Sequence, residues 1–285
     1  MKKSISATLV IVMVISNFFS YGQSLKVMTY NIRLDVSSDG ANAWPLRKDF
    51  LASQIQFYEP DILGVQEAMP HQVTDLEQLL SQFSHVGMGR EGIGKGESST
   101  IFYKTEKFKV LQTSTFWLSE TPETISKGWD AACNRVCTYA LFQQRTTKRK
   151  FWIFNTHLDH IGDQARTKGL ELILNKISQL NVLNYPVIFM GDFNSGPLDD
   201  RIISLKRVMN DTREVSLEKP FGPVGTFNNF VYDKPVTTLI DYVFISKETN
   251  LKVKKYAILS DSKELRYPSD HLPVYVEVVF EPQKK

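Results

Sequence analysis

Polar side chains stand at the ends of several apolar segments of this chain, where a buried strand would give way to an exposed site. The residues that share this position are Asn31, Glu67, His157, Asp192, Asn194, Asp270 and His271. Carboxylates are the hard oxygen donors that Mg²⁺ and Mn²⁺ prefer, and carboxylate and imidazole groups can transfer protons. Any one of them alone would more often be a turn or cap residue. As a set, they permit metal-assisted hydrolysis.

Asp241 differs from these residues because it interrupts an apolar segment, between Ile240 and Tyr242. An ionised carboxylate inside an apolar strand is costly unless a partner compensates its charge. The sequence therefore predicts a buried polar or cationic partner for Asp241.

Strand-like and helix-like segments alternate along the chain, which favours a layered α/β sandwich over a regular βα barrel. Strands are predicted over residues 25–32, 61–65, 99–103, 136–143, 151–156, 187–190, 239–245 and 273–280. Helices are predicted over residues 45–58, 71–83, 163–180 and 199–209. Pro45 suits the first helical position, and Asp163 is predicted to cap the third helix.

Composition excludes some classes of protein. The chain has 285 residues, is 42% hydrophobic and 23% charged, and carries a formal charge of +3. These values exclude disorder, collagen-like repeats and a disulfide-stapled mini-protein, and they allow a single domain. Without Lys2 and Lys3 the charge falls from +3 to +1, which does not favour a general nucleic-acid cradle.

The amino terminus has the pattern of an export signal. Lys2 and Lys3 precede an apolar stretch over residues 7–19 and the small residues near Gly22. We therefore expect a signal peptide over residues 1–22, a mature domain over residues 23–285 and a periplasmic or secreted location. The apolar stretch is shorter than the roughly 20 residues that a membrane-spanning helix needs, and an uncleaved amino-terminal anchor is the alternative.

Two further patterns have unremarkable interpretations. Cys133 and Cys137 would lie about 13 Å apart in an extended chain, too far for a disulfide, so a buried Cys137 is preferred. Residues 87–92 match a GxGxxG pattern, but a strand rather than a helix is expected next. Without a helix N-terminus to bind phosphate, residues 87–97 are predicted to form a glycine-rich hairpin loop.

The order and wording of the polar segments resemble the endonuclease/exonuclease/phosphatase superfamily. The matching segments lie between residues 25 and 280 and read Thr29-Tyr30-Asn31-Ile32, Gln66-Glu67, Asn155-Thr156-His157-Leu158, Gly191-Asp192-Phe193-Asn194, Ile240-Asp241-Tyr242 and Ser269-Asp270-His271-Leu272-Pro273. The resemblance implies a four-layer α/β sandwich of the DNase I type, with two packed mixed sheets flanked by helices. It also implies a divalent-metal phosphoesterase site at one end.

The resemblance further implies roles for individual residues. Glu67 is implied as the first ligand of Mg²⁺ or Mn²⁺ and Asp270 as the second carboxylate, while Asn31 fixes the surroundings of the metal. Asp192 is implied to orient or deprotonate the attacking water.

The remaining residues of this core set are implied to act on the phosphate. His271, held by Asp241, is expected to stabilise charge there, with His157 and Asn194 on the same side. Tyr103 matches a family strand, and it is equally consistent with a tyrosine at the edge of the core.

Short sequence motifs distinguish the branches of the superfamily. The inositol-polyphosphate 5-phosphatase branch has Trp-Cys-Asp-Arg where this chain has Thr238-Leu239-Ile240-Asp241, and the abasic-site repair branch has Lys shortly after Gln-Glu, where Ala68 stands here. The chain looks most like an exported bacterial subgroup related to the deadenylase-like branch. This similarity suggests pocket residues with substrate-binding roles: Arg33, Arg135, His160, Arg166, Trp44 and Trp129. Surface positions for the arginines and core packing for the tryptophans remain open.

The expected activity is metal-dependent hydrolysis of phosphodiester bonds in oligonucleotides or nucleotide derivatives, by direct attack of water. The alternatives are a phosphomonoesterase on sugar or inositol phosphates, a sphingomyelinase-like phospholipid hydrolase, and a non-catalytic module that binds phosphorylated glycans. We expect a monomer, with a small-molecule or oligonucleotide phosphoester as its partner and no protein partner.

Overall fold

The computed structural model describes residues 24–247 and 249–281. The predicted signal peptide over residues 1–22 lies outside these residues. Within the described part of the chain, no helix is both long and apolar enough to cross a membrane.

Regular elements of the described residues alternate along the chain much as the sequence predicts. The strands are β1 (Ser24–Asn31), β2 (Ile62–Gln66), β3 (Phe83–Val86), β4 (Ile101–Lys104), β5 (Phe108–Trp117), β6 (Val136–Gln144), β7 (Lys150–His157), β8 (Val187–Asp192), β9 (Met209–Asp211), β10 (Asp241–Ser246), β11 (Leu251–Ile258) and β12 (Val274–Phe280). The α-helices are α1 (Trp44–Tyr58), α2 (Pro70–Leu79), α3 (Asp163–Leu180) and α4 (Asp200–Val208).

The strands form two mixed sheets. The first has the order β11-β12-β1-β2-β4-β3 and the second the order β5-β6-β7-β8-β10-β9. Each sheet contains one parallel pair, β1 with β2 and β7 with β8, and its other pairs are antiparallel. Because α1 and α3 connect these parallel pairs, the two halves of the chain repeat one arrangement.

Apolar side chains on both faces of each sheet explain the layered packing. In the first sheet Val27 and Ile62 face the second sheet, while Met28 and Leu63 pack with α1 on the opposite face. The second sheet is covered by α3 and α4, through residues such as Leu170 and Ile202. The predicted four-layer α/β sandwich of the DNase I type is confirmed.

The two sheets approach closely near Gly64. A Cβ atom on Gly64 would lie 2.5 Å from the Cε of Met190 and 2.9 Å from the side chain of Asn155. Glycine is therefore needed here because the neighbouring sheet occupies the space that a side chain would fill.

A buried polar network also joins the sheets. The side-chain amide of Asn155, on β7, donates to the carbonyls of Val65 at 2.9 Å and Thr100 at 3.0 Å. Its Oδ1 accepts from the Nε2 of Gln66 at 2.6 Å. All these partners lie in or next to the first sheet, whereas Asn155 lies in the second. Asn155 therefore fixes the alignment of the two sheets near the end of β2.

Some boundaries differ from the sequence predictions. The helix predicted over residues 71–83 ends at Leu79, because Phe83 begins β3 and pairs with Lys104 of β4. The two longest strands that the sequence did not predict, β5 and β11, lie at sheet edges. A bulge interrupts the apolar alternation in each strand, between Val110 and Gln112 in β5 and between Val253 and Lys255 in β11.

The predicted cap of α3 is wrong. Asp163 is the first helical residue, and Gly162 occupies the cap position without a side-chain bond. The free amide groups of Gln164 and Ala165 instead donate to the carboxylate of Asp130, from a distant loop. A long-range partner therefore performs the role that the sequence assigned to a local one.

Neither cysteine forms a disulfide. Cys133 is half-buried and Cys137 is buried within β6, as the spacing argument predicted.

The Asn155 network leads to a stability prediction. Replacement by leucine in Asn155→Leu leaves the Gln66 amide and two carbonyl groups without this partner, so we expect the free energy of unfolding to fall by about 2 kcal/mol. Urea unfolding followed by circular dichroism measures the change. The exposed Asn175→Leu variant on α3 is the control, and an equal stability of both variants would contradict the role of Asn155.

Candidate active site

A cleft of about 400 Å³ opens at the end of the two sheets where several strands terminate. The parallel strands β1 and β2 end there, with Asn31 opposite Gln66, and so do β7 and β8, with His157 opposite Asp192. The residues that line it are Arg33, Leu34, Glu67, Arg90, Glu97, Cys133, Arg135, His157, His160, Asp192, Asn194, Phe227, Asn229, Ile240, Asp270 and His271.

The side chain of Asn31 connects carboxylates from the two sheets. Its Nδ2 donates to Glu67 Oε1 and to Asp192 Oδ2, each at 3.0 Å. Its Oδ1 accepts the backbone N–H of Arg33 at 3.0 Å. Asn31 therefore positions the two carboxylates, and its own oxygen is already engaged.

The buried partner predicted for Asp241 is His271. The imidazole Nδ1 lies 2.8 Å from Asp241 Oδ2, and the Nε2 lies 3.8 Å from Asp192 Oδ2. Burial alone would lower the pKa of His271, but Asp241 and then Asp192 raise it well above the ordinary value. The ring is thus held as an imidazolium that faces the cleft, with a fixed orientation.

Asp192 is a carboxylate with an unusual proton affinity. Burial and the nearby Asp241 raise its pKa to about 7, although His271 and hydrogen bonds from Asn194 and Asn31 oppose the rise. A carboxylate poised near neutral pH suits a group that accepts a proton from water.

His157 and Asn194 form a neutral hydrogen-bonded pair beside Asp192. The Nδ2 of Asn194 lies 3.0 Å from His157 Nε2 and donates to the carbonyl of Leu158 at 3.0 Å. Burial, followed by the charges of Arg135 and His271, lowers the pKa of His157 well below its ordinary value. The imidazole is therefore neutral and acts through hydrogen bonds.

The backbone between β8 and these residues is tightly constrained. Gly191 has φ +145°, and a Cβ atom there would lie 2.0 Å from the carbonyl oxygen of Thr156. Asn194 adopts φ +46°, in the left-handed region that asparagine tolerates better than most residues. These two backbone conformations explain why glycine and asparagine occupy the first and last positions of the Gly-Asp-Phe-Asn motif.

Asp270 enters the cleft with little compensation for its charge. It is 5% exposed. Its nearest cation is Arg33 Nε at 3.9 Å, and the hydroxyl of Ser269 lies 3.4 Å away. Burial raises the pKa of Asp270 and Glu67 contributes in the same direction, although the charges of His271, Arg33 and Arg47 oppose part of the rise. A bound cation would remove this cost.

A second group of possible ligands lies deeper in the site. One ligand atom from each of Asp192, Asp241 and His271 falls within 4.8 Å of the others, and all three residues are buried. This set could hold a metal ion, but His271 and Asp241 already bond each other at 2.8 Å.

One wall of the cleft, beside His157 and Glu67, carries charged and polar side chains, and we call it the outer wall: Arg90, Glu97, Arg135 and His160. Arg90 Nη2 lies 2.6 Å from Glu97 Oε1. Arg135 bonds Asp159 Oδ2 at 3.3 Å and His160 Nδ1 at 2.8 Å.

Asp159 is held ionised behind this wall. Burial would raise its pKa, but the backbone N–H groups of Gly162, Ile161 and Ala132 and the charge of Arg135 lower it to about 2.

Most residues predicted for the site are brought together by the fold. The predicted set that lines or supports the cleft is Asn31, Arg33, Glu67, Arg135, His157, His160, Asp192, Asn194, Asp241, Asp270 and His271. Their chemical roles stay predictions.

Tyr103 is not part of this site. It pairs with Ile62 at the start of β2 and contacts Phe142 at 5.1 Å between ring centres. The cleft lies beyond Gln66 at the other end of β2, about 13 Å along the strand. The interpretation as a tyrosine at the edge of the core is therefore correct, and the catalytic assignment is wrong.

The tryptophans also lie away from the cleft. Trp44 is 1% exposed, donates to Asp75 at 2.7 Å and packs under the guanidinium of Arg47. Trp129 is half-buried in a loop, where its backbone N–H donates to Glu120. Core packing, rather than substrate contact, accounts for the Trp44 side chain, and Trp129 is not among the residues that line the cleft.

Arg166 does not line the cleft either. Its guanidinium bonds the carbonyl of Asp159 at 3.2 Å and the carboxylate of Asp163 at 3.3 Å. It stabilises the start of α3, so the predicted substrate contact is wrong.

Sequence reasoning missed several lining residues, notably Arg90, Glu97, Phe227 and Asn229. Arg90 and Glu97 belong to the glycine-rich segment over residues 87–97, which forms the predicted hairpin loop through a bridge between Gly89 and Ser98. Charged residues within this loop were the available signal.

Solved structures and curated proteins resemble this chain. An endonuclease/exonuclease/phosphatase family protein from Bacteroides thetaiotaomicron has 38% identity and a TM-score of 0.86, over 92% of this chain and 99% of that one. A mannosyl-6-phosphatase from Bacteroides thetaiotaomicron VPI-5482 has 38% identity and a TM-score of 0.84, over 90% and 100%. Human nocturnin is 23% identical over 90% of this chain, which spans 65% of nocturnin.

A family model covers most of the chain. The model of the Endonuclease/Exonuclease/phosphatase family matches residues 28–271, which include the cleft carboxylates and the Asp241–His271 pair. The chain therefore belongs to the endonuclease/exonuclease/phosphatase family of phosphoester hydrolases.

Proposed function

We propose that this protein is a divalent-metal-dependent phosphomonoesterase that acts on a small, hydrophilic phosphorylated molecule. The observation that supports this most is the cleft itself, about 400 Å³ with a polar, charge-balanced outer wall. A cavity of this volume is typical of small-molecule sites.

The cleft offers little to an oligonucleotide. Phe227 is the one Phe, Tyr or Trp side chain among its lining residues, and it packs edge-on against His271 at 5.0 Å. Single-stranded nucleic acids are usually bound by open aromatic faces and a basic groove. The ring of Trp44, one of the predicted pocket residues, is buried and cannot stack on a base.

Sequence similarity to known proteins also favours a phosphomonoester as the substrate. The Bacteroides mannosyl-6-phosphatase is 38% identical to this chain, whereas nocturnin is 23% identical. We therefore rank phosphomonoesters of sugars above the phosphodiesters that the sequence placed first.

The residues of the cleft fit a divalent cation at Glu67 and Asp270. Both are oxygen donors, and the buried Asp270 lacks a full counter-charge. The Glu67 oxygens each accept one hydrogen bond, from Asn31 and from the Leu34 amide, and retain further lone pairs. A bound cation would supply neutralisation of charge on the phosphoryl oxygens.

The deeper set of Asp192, Asp241 and His271 fits a metal less well. His271 and Asp241 already bond each other at 2.8 Å, and the raised pKa of His271 keeps the imidazole protonated. A protonated ring nitrogen cannot bind a metal, so we assign these residues to proton transfer and charge stabilisation.

The protein groups then divide the reaction between them. Asp192 accepts a proton from the water that attacks phosphorus, and Asn31 holds its carboxylate in place. The charged His271 donates to a phosphoryl oxygen and stabilises the negative charge of the transition state, while the neutral His157, held by Asn194, orients the phosphate. The bond from phosphorus to the alcohol oxygen breaks as the bond to the water oxygen forms, and the alcohol leaves with a proton that Asp192 returns through solvent. Direct attack by water needs no covalent intermediate.

We also propose that residues 1–22 direct export, so that hydrolysis takes place in the periplasm or outside the cell. Support comes from the basic start and apolar stretch of this segment.

The substrate class leads to the first test. The wild-type protein with Mg²⁺ or Mn²⁺ should hydrolyse p-nitrophenyl phosphate and hexose phosphates, and EDTA should abolish turnover. Rates on bis-p-nitrophenyl phosphate and a short RNA should be at least about tenfold lower in kcat/KM. Faster cleavage of either diester would reject the monoesterase and support a phosphodiesterase.

Glu67 should be required for metal binding. Because Glu67→Gln removes a carboxylate ligand, we expect Mn²⁺ affinity measured by calorimetry to fall about 10- to 100-fold with the fold intact. The control is Glu171→Gln, an exposed glutamate on α3 that pairs with Lys168. Unchanged Mn²⁺ affinity in the Glu67 variant would place the metal elsewhere.

His271 should act in the transition state. His271→Ala removes the charged donor, so kcat on p-nitrophenyl phosphate should fall at least about 100-fold. Inhibition by inorganic phosphate reports whether ground-state binding survives. His71→Ala is the control because His71 lies on α2 and pairs with Asp35 away from the cleft. Equal rates in the two variants would refute the assignment.

A further inference from the structure

The outer wall has no role in the steps described above, yet it lines the same cleft. Arg90, Glu97, Arg135 and His160 lie beside His157 and Glu67. The charge of Arg135 is close enough to His157 to lower the pKa of that imidazole. A substrate whose phosphate lies at the catalytic residues would therefore extend its alcohol part toward this wall.

From these contacts we infer that the outer wall is a binding subsite for an uncharged, polyhydroxylated leaving group, such as the ring of a hexose. The inference rests on the proposed function, because it assigns the outer wall to the alcohol part of the phosphomonoester substrate.

Charge balance is the first argument. Arg90 is paired with Glu97 at 2.6 Å, and Arg135 is paired with Asp159 at 3.3 Å. Each guanidinium thus has its own carboxylate. A second phosphate would need unpaired cations, and it would lie close to the acidic Glu97. The wall therefore selects against bisphosphates and nucleotide chains.

Hydrogen-bonding capacity is the second argument. A sugar hydroxyl both donates and accepts, so it fits a wall that offers both functions. Among the described residues, no donor contacts the second carboxylate oxygen of Glu97, so this oxygen can accept a hydrogen bond from a ligand.

His160 adds another donor. A guanidinium can only donate, so the Nδ1 of His160 accepts from Arg135 and its ring proton lies on Nε2. The His160 side chain is exposed and lines the cleft, which leaves this N–H available to a ligand.

The wall is also held rigidly, which reduces the entropic cost of binding. The backbone carbonyl of Arg90 accepts a hydrogen bond from Trp117 Nε1 at 2.7 Å. The backbone N–H of Arg90 donates to the carbonyl of Glu97 at 2.8 Å. Ser98 then donates to the carbonyl of Ala68, the residue after Glu67, at 2.9 Å. The loop that carries the outer wall is thus joined directly to the segment of a metal ligand.

The test is a comparison of substrates in Glu97→Gln. We expect the ratio of kcat/KM for a hexose 6-phosphate to that for p-nitrophenyl phosphate to fall at least about tenfold. Activity on a hexose 1,6-bisphosphate should rise relative to the monophosphate, because Arg90 loses its nearest counter-charge. A general loss of folding would lower all rates together and leave the ratios unchanged.

Glu106→Gln is the control. Glu106 is an exposed glutamate in the turn between β4 and β5 and does not line the cleft. Its ratios should equal those of the wild type. The inference is overturned if Glu97→Gln keeps the wild-type ratios, or if the wild-type protein hydrolyses the hexose bisphosphate as efficiently as the monophosphate.

A binding measurement separates this inference from the proposed function. Calorimetric titration of the free hexose into the wild-type protein needs no turnover, and we expect binding that Glu97→Gln weakens about tenfold. If no monoester is hydrolysed but the hexose binds in this way, the proposed function fails and the subsite stands. If monoesters are hydrolysed but the hexose does not bind, the subsite is wrong.

Discussion

The side-chain amide of Asn31 is the interaction on which the candidate site depends. It lies at the end of β1 and reaches Glu67 at the end of β2 and Asp192 at the end of β8, each at 3.0 Å. Two carboxylates from different sheets would repel each other, and a donor between them offsets that repulsion. The packed sheets make this contact possible, because Asn155 and Gly64 fix how closely the two halves approach.

Sequence patterns predicted the site better than its surroundings, for physical reasons. Buried strands such as β2 and β8 are continuous apolar runs, so their ends and the polar residues that follow are easy to locate. Edge strands such as β5 carry exposed polar residues and lack that signal. The cap of α3 escaped prediction because Asp130 is distant in sequence.

The direction in which a side chain points could not be predicted from the sequence either. Trp44 is close in sequence to Asn31, but it lies on the buried face of α1, which places its ring in the core. Tyr103 belongs to a matched strand, and only the register with β2 reveals that it lies at the far end. Arg90 and Glu97 could not be assigned because pairing within the glycine-rich loop determines which of its residues face the cleft.

The central claim is that Glu67 and Asp270 hold one divalent cation next to a phosphate bound by His157 and His271. The most direct measurement is a crystal structure with Mn²⁺ and inorganic phosphate, in which anomalous scattering locates the metal. The account predicts a manganese peak between the carboxylates of Glu67 and Asp270, with the phosphate against the two histidines. A peak bound by Asp192, Asp241 and His271 instead, or a phosphate outside the cleft, would contradict it.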